Sequence, residues 1–66
     1  MGKIEVELKQ ENALGTHSYH VYDVLAAIME HDIGFLTILH SDGEETIQSI
    51  DEISNITTHG IELQHA

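Results

Sequence analysis

YHVYDVLAAIMEH, Tyr19 to His31, is the stretch whose reading decides the fold. Val21, Leu25 and Ile28, flanked by Tyr22, Val24 and Met29, recur at a spacing that predicts an amphipathic helix, with Asp23 and Glu30 off the apolar stripe. Thr16 or Ser18 supplies an N-cap, and Gly34 stands just beyond, where a left-handed stop is cheap. Upstream, Ile4, Val6 and Leu8 alternate with Glu5, Glu7 and Lys9, the period-two signature of a half-buried strand, and Gln10 to His17 reads as a loop. Downstream, Phe35 to Leu39 is a nearly continuous apolar run, expected as a central strand covered on both faces. Asp42-Gly43 predicts a type I′ hairpin turn into a returning strand, Glu45 to Ile50. Ile50, Ile53 and Ile56 fit a single helical or 3₁₀ turn across Asp51 to Ile53, with an irregular strand left open. His59-Gly60 reads as a second tight turn before a short last strand, Ile61 to Leu63. The expected fold is α+β: one helix on a small, mainly antiparallel sheet, in the order β-α-β-β(-β).

Residues 1–66 make one domain, and a chain this short buries only about 60% of the surface its unfolded form exposes. Cysteine is absent, which excludes disulfides and thiolate zinc sites as reinforcement. Nine Ile, six Leu and three Val are too many apolar residues for a disordered acidic tail. A thin core and a sheet covered on one side predict a homodimer. No apolar stretch approaches the roughly 20 residues of a membrane span, and the N-terminus lacks a secretory h-region, so an intracellular soluble protein is expected.

Twelve acidic residues face two lysines and no arginine, for a formal charge of −10 at pH 7. Such a charge repels nucleic acid and anionic membranes and attracts basic surfaces. Direct nucleic-acid binding is excluded, because two lysines cannot form a basic patch. The carboxylates are scattered over the predicted elements and turns rather than gathered in a run, as a disordered tail would hold them. Alternate residues on a strand face lie about 6.6–6.8 Å apart, so Glu5 and Glu7 present a pair of carboxylates that approximates a phosphate row. Glu11, the turn acids Asp42, Glu44 and Glu45, and the pair Asp51 and Glu52 extend that row if they reach the same side. These eight are the candidate partner-binding residues. A protein presenting fixed carboxylates captures the surface that a basic protein uses to neutralise phosphates. A solvated acidic coat is the structural alternative.

Histidine is abundant, with His17, His20, His31, His40, His59 and His65. His17 and His20, with Asp23 three residues on, would share one side of a helix and could offer zinc ligands, the basis of a His-rich metal-binding alternative. Surface histidines in a polar coat are the simpler reading, and no metal or other cofactor is assigned. Protonating all six would cut the charge from −10 to −4, so attraction to a basic partner is expected to weaken as pH falls through about 6.5. Catalysis is not expected: the chain has no cysteine nucleophile, Gly-rich phosphate loop, anion-holding arginine or G-x-S-x-G elbow. Ser41 beside His40 and Asp42 is better explained as a turn than as a triad fragment.

In size, charge and compact layout the chain resembles the small acidic DNA-mimic proteins with which bacteriophages disable host DNA-binding proteins, and among them the inhibitors of the histone-like nucleoid protein HU. The resemblance spans the whole chain and rests on composition and layout, without a short motif. It implies a homodimer in the cytoplasm of the host bacterium, its acidic faces seated on the DNA-binding saddle of a two-fold symmetric basic partner. An acidic interaction module for another partner, such as an RNA-polymerase-binding regulator, is the main alternative.

Overall fold

His17–Glu30 forms one continuous strand of 14 residues where the apolar spacing predicts a helix. In the computed structural model, which describes residues 2–66, six strands and a single 3₁₀ turn account for the regular structure. They are β1 (Gly2–Glu11), β2 (His17–Glu30), β3 (Phe35–His40), β4 (Glu45–Ser49), the 3₁₀ turn Ile50–Glu52, β5 (Ile53–His59) and β6 (Gln64–His65). The α+β expectation is therefore wrong, and the fold is an all-β sheet ordered β4-β3-β2-β1-β5, antiparallel throughout that path. Thr16 and Ser18 cap no helix, since His17 already opens β2.

A bulge explains the misreading. Val24 pairs with His40 and Ala26 with Leu39, so Leu25 is an extra residue in β2. Alternation before it puts Tyr22 and Val24 on the inner face, and alternation after it puts Ala27 and Met29 there. One inserted residue thus resets the phase: Val21 and Ile28 come to the same outer side seven residues apart, and with Leu25 between them they imitate a helical stripe. Two of the residues assigned to the buried stripe face solvent, Val21 at 51% and Leu25 at 59% exposed, while Ala27 is 1% exposed.

The bend also lets β2 serve two neighbours. Its first half pairs with β1 and its second with β3. Beyond the point where β1 begins, β6 continues that line in parallel with β2, at Ile28 and Met29. The Ala66 amide donates to the Met29 carbonyl at 2.9 Å and completes this clasp. The crossing chain packs Ile61 against Gly2 so closely that any Cβ at Gly2 would overlap it.

The core lies on the inner face of the curled sheet. Ile4 and Val6 of β1, Val24, Ala27 and Met29 of β2, Leu36 and Ile38 of β3, and Ile53 of β5 are buried. Leu8, Tyr22, Ile50, Ile56, Ile61 and Leu63 close around them. Full burial of an aliphatic side chain of this size contributes about 1.5–3 kcal/mol, so the strands rather than any helix hold the fold.

Other expectations change in detail. Gly34 ends no helix; it closes the β2–β3 turn, its amide donating to the Glu30 carbonyl at 2.9 Å. The Asp42-Gly43 hairpin forms, but not as a type I′ turn, because no described non-glycine residue has positive φ. His40 bonds to Glu44 across a three-residue loop, with Gly43 alone left-handed at φ 91°. β3 is covered on one face only, since Phe35 on the other is 40% exposed. The last strand falls at Gln64–His65 rather than Ile61 to Leu63, and Ile53–His59 is a full strand after the 3₁₀ turn.

Candidate interaction surface

The outer side of the sheet divides at the bend in β2 into two faces of different chemistry. On the first, β1 is flanked by β2 and β5, and register sets three rows: Asp23, Lys3 and His59; Val21, Glu5 and Thr57; Tyr19, Glu7 and Asn55. Three of the four charges here, on Lys3, Asp23 and Glu5, meet partners. Lys3 Nζ lies 2.7 Å from Asp23 Oδ1 directly across the pair of strands. The Glu5 carboxylate accepts the Tyr19 hydroxyl on one oxygen and faces His59 Nε2 with the other, an ion pair when that ring is protonated. Donation from the Tyr19 hydroxyl, followed by that from His59, holds the Glu5 carboxyl below its ordinary range. The same contact raises the Tyr19 hydroxyl, because losing its proton would set two anions together.

Second-half β2, β3 and β4 form the other face. Its rows read Ala26, Leu39 and Glu45; Ile28, Thr37 and Ile47; Glu30, Phe35 and Ser49. Apolar side chains occupy the middle, with Ile47 63% and Phe35 40% exposed. Thr37 donates to Glu30 at 3.3 Å. From Val24 through Glu52 there is no lysine, whereas there are seven carboxylates. Both lysines belong to β1.

The eight candidate acids are distributed over both faces and their ends. Glu5 and Glu7 share the outer face of β1, as their alternation predicts, although Glu5 is engaged by Tyr19 and His59. Glu11 lies past a register shift at the far end of β1, opposite His17. Asp42 and Glu44 sit in the β3–β4 loop, where Asp42 Oδ1 accepts the Glu44 amide at 3.0 Å, and Glu45 opens β4. Asp51 and Glu52 follow the other end of β4 in the 3₁₀ turn, with Glu52 accepting Gln48 at 2.7 Å. The five residues of β4, about 17 Å of strand, put the two groups at opposite ends instead of continuing the β1 row. Glu45 lies on the outer side beside Leu39, whereas Glu52 bonds to Gln48, which pairs with the core residue Leu36 on the inner side. Sequence reasoning missed Phe35 and Ile47 as surface residues. The signal was the apolar run of β3, which needs two covering layers in a chain that supplies one.

The histidines are dispersed. In a strand, His17 and His20 point to opposite sides; His17 Nδ1 meets the Leu8 carbonyl at 2.9 Å and His20 stacks on Tyr22. His40 bonds to Thr46 at 2.6 Å, and His31 Nε2 meets His65 Nδ1 at 2.8 Å beside the β6 clasp. Among the described residues no three His, Asp or Glu side chains converge as a metal site. No pocket opens in the described surface, and no helix is long and apolar enough to cross a membrane. No family model matches the chain, and neither a curated protein nor a solved structure is similar enough to show a relationship.

Proposed function

We propose that the chain is a non-catalytic DNA mimic, which occupies the DNA-binding surface of a basic host protein and displaces DNA from it. The supporting observation is its charge: twelve carboxylates against two lysines, of which Lys3 is committed to Asp23. A partner that neutralises phosphates with Lys and Arg gains the same counterion release from fixed carboxylates. Its partner class is a nucleoid protein of the HU kind in a bacterial cytoplasm. A homodimer would join through β5, the edge strand whose residues Ile53–His59 include no carboxylate.

Fluorescence anisotropy of labelled duplex DNA bound to purified HU provides the test. The protein, added at low salt, should release the DNA near stoichiometry, and the effect should fade steeply as salt rises. DNA that stays bound at low salt in the presence of excess protein refutes the reading. A second reading, an acidic interaction module that leaves DNA in place, is favoured by the apolar face around Ile47, because a phosphate row has no counterpart to it.

A further inference from the structure

We infer that the outer face of β2, β3 and β4 is the contact surface, and that it receives a protein patch with an apolar centre and a lysine- or arginine-rich rim. The inference rests on the proposed basic partner and locates where that partner sits. Its centre is Ala26, Ile28, Phe35, Leu39 and Ile47 around Thr37, all brought to one side by the ladder register. The inner residues alternating with them on β2 and β3, Ala27, Met29, Leu36 and Ile38, are spent on the core. This centre is therefore left over after folding, with Phe35 and Ile47 exposed and Ala26, Ile28, Thr37 and Leu39 half-buried.

Size and charge together select the occupant. Three strands about 4.8 Å apart and five residues long give a backbone footprint of about 10 by 13 Å. A standard interface takes roughly 800 Å² from each partner, so the apolar centre can be only its middle. The remainder must come from the rim, and the rim is acidic at both ends. Glu44 and Glu45 stand where β4 begins; Glu30, Asp32 and Asp51 stand where β2 and β4 end, while Glu52 turns to Gln48 on the inner side. A second copy seated on this face would set an identical acidic rim against this one, which the carboxylate-free β5 edge would not. A basic rim removes that repulsion. The first outer face, which exposes Tyr19 and Val21, is the weaker contender because Lys3 answers Asp23 there and His59 faces Glu5, whereas among the described residues no cation meets the carboxylates of the second face.

Two synthetic helical peptides of equal length and equal positive charge separate the terms, one amphipathic in Lys and Leu, the other in Lys and Ser. The protein should bind the Lys/Leu peptide about tenfold more tightly, one apolar anchor's worth of affinity. Ile47→Ser or Phe35→Ser should abolish that preference while circular dichroism stays unchanged. Glu7→Gln should preserve it. Amide shifts on adding the Lys/Leu peptide should cluster on residues 26–49 rather than on 3–7, 19–23 and 55–59. Equal affinity for the two peptides, or shifts confined to the β1 face, overturns the inference. So does a dimer in sedimentation that Ile47→Ser dissociates, because the occupant is then a second copy. DNA release from HU is read separately. Failure there with the peptide preference intact removes the mimic and keeps the surface.

Discussion

The two outer faces come from one sheet and share β2, yet they treat charge in opposite ways. Around β1, charged groups answer each other: Lys3 with Asp23, and Glu5 with Tyr19 and His59. Around β3, the middle is apolar and the carboxylates stand at the ends, with no lysine among them. A face whose charges are mostly matched within the chain, Glu7 excepted, gains less from a partner, because most new contacts must break an existing one. A face with an uncovered apolar centre and carboxylates that meet no cation among the described residues gains from both terms. The division falls at Leu25, where the extra residue bends β2 and reverses which of its side chains face outward.

Breaking that bend tests the whole comparison and carries the largest effect. Ala27 is 1% exposed and Leu25 is 59% exposed, the reverse of what a helix with Leu25 in its stripe requires. Ala27→Glu places a carboxylate in the core and should cost about 3 kcal/mol or more, enough to unfold so small a domain. Leu25→Glu should change stability by no more than about 0.5 kcal/mol. Urea titrations of the two variants decide it. If Leu25→Glu unfolds the chain and Ala27→Glu does not, Leu25 lies in the core and β2 has no bulge there.

Isoleucines on opposite sides of the β3–β4 ladder sharpen the contrast next. Ile38 is 1% exposed and faces the core; Ile47 is 63% exposed and faces outward. Ile38→Ala should cost about 2–5 kcal/mol through lost transfer energy and the cavity left behind. Ile47→Ala should cost less than about 1 kcal/mol, mostly strand propensity. Midpoint shifts of similar size in urea would mean that the outer face is covered by the chain's own residues.

β1, β3 and β4 were legible from residues 4–9 and 35–50, because Ile4, Val6 and Leu8 alternate cleanly and Asp42-Gly43 punctuates the hairpin, whereas β5 and β6 were not placed. β2 was not, since a bulge leaves no residue-type signature: Leu25 is a good helix former at the one position where strand phase is lost. The turn type at Asp42 also escaped, because Asp-Gly suits both a two-residue and a three-residue loop. For the surface, Glu5 and Glu7 could be placed together from alternation alone. Long-range register, which brings Tyr19 and His59 onto Glu5 and sends Asp51 to the far end of β4, lies beyond local pattern.

A smaller effect belongs to the lysines of β1. Lys3 and Asp23 are both more than half exposed, so their pair is worth about 0–1 kcal/mol and weakens with salt. Lys3→Ala should therefore lower stability slightly at low ionic strength and not at all near 1 M salt. Lys9, which makes no ion pair among the described residues, should show no such salt dependence when changed to Ala. Equal salt dependence in the two variants would mean that Lys3 has no dedicated partner and that the first face is not matched after all.

The subtlest test is the titration of Glu5, whose carboxyl is held below its ordinary range first by Tyr19 and then by His59. A carboxyl depressed in the folded state adds stability above its unfolded value, and that contribution disappears as pH falls through the lowered folded value. Tyr19, raised by the same contact, adds stability below its ordinary value near pH 10, lost as pH climbs through the raised one. Tyr19→Phe should move Glu5 back up in a carboxyl-detected NMR titration, only part of the way, because His59 stays in place. Glu5→Gln should bring the Tyr19 hydroxyl down toward its ordinary value, read by absorbance. A Glu5 titration that ignores Tyr19→Phe would leave this carboxylate free to meet a basic partner. The β1 face would then compete with the β3 face on equal terms, and the preference for Ile47 and its neighbours would have to rest on apolar contact alone.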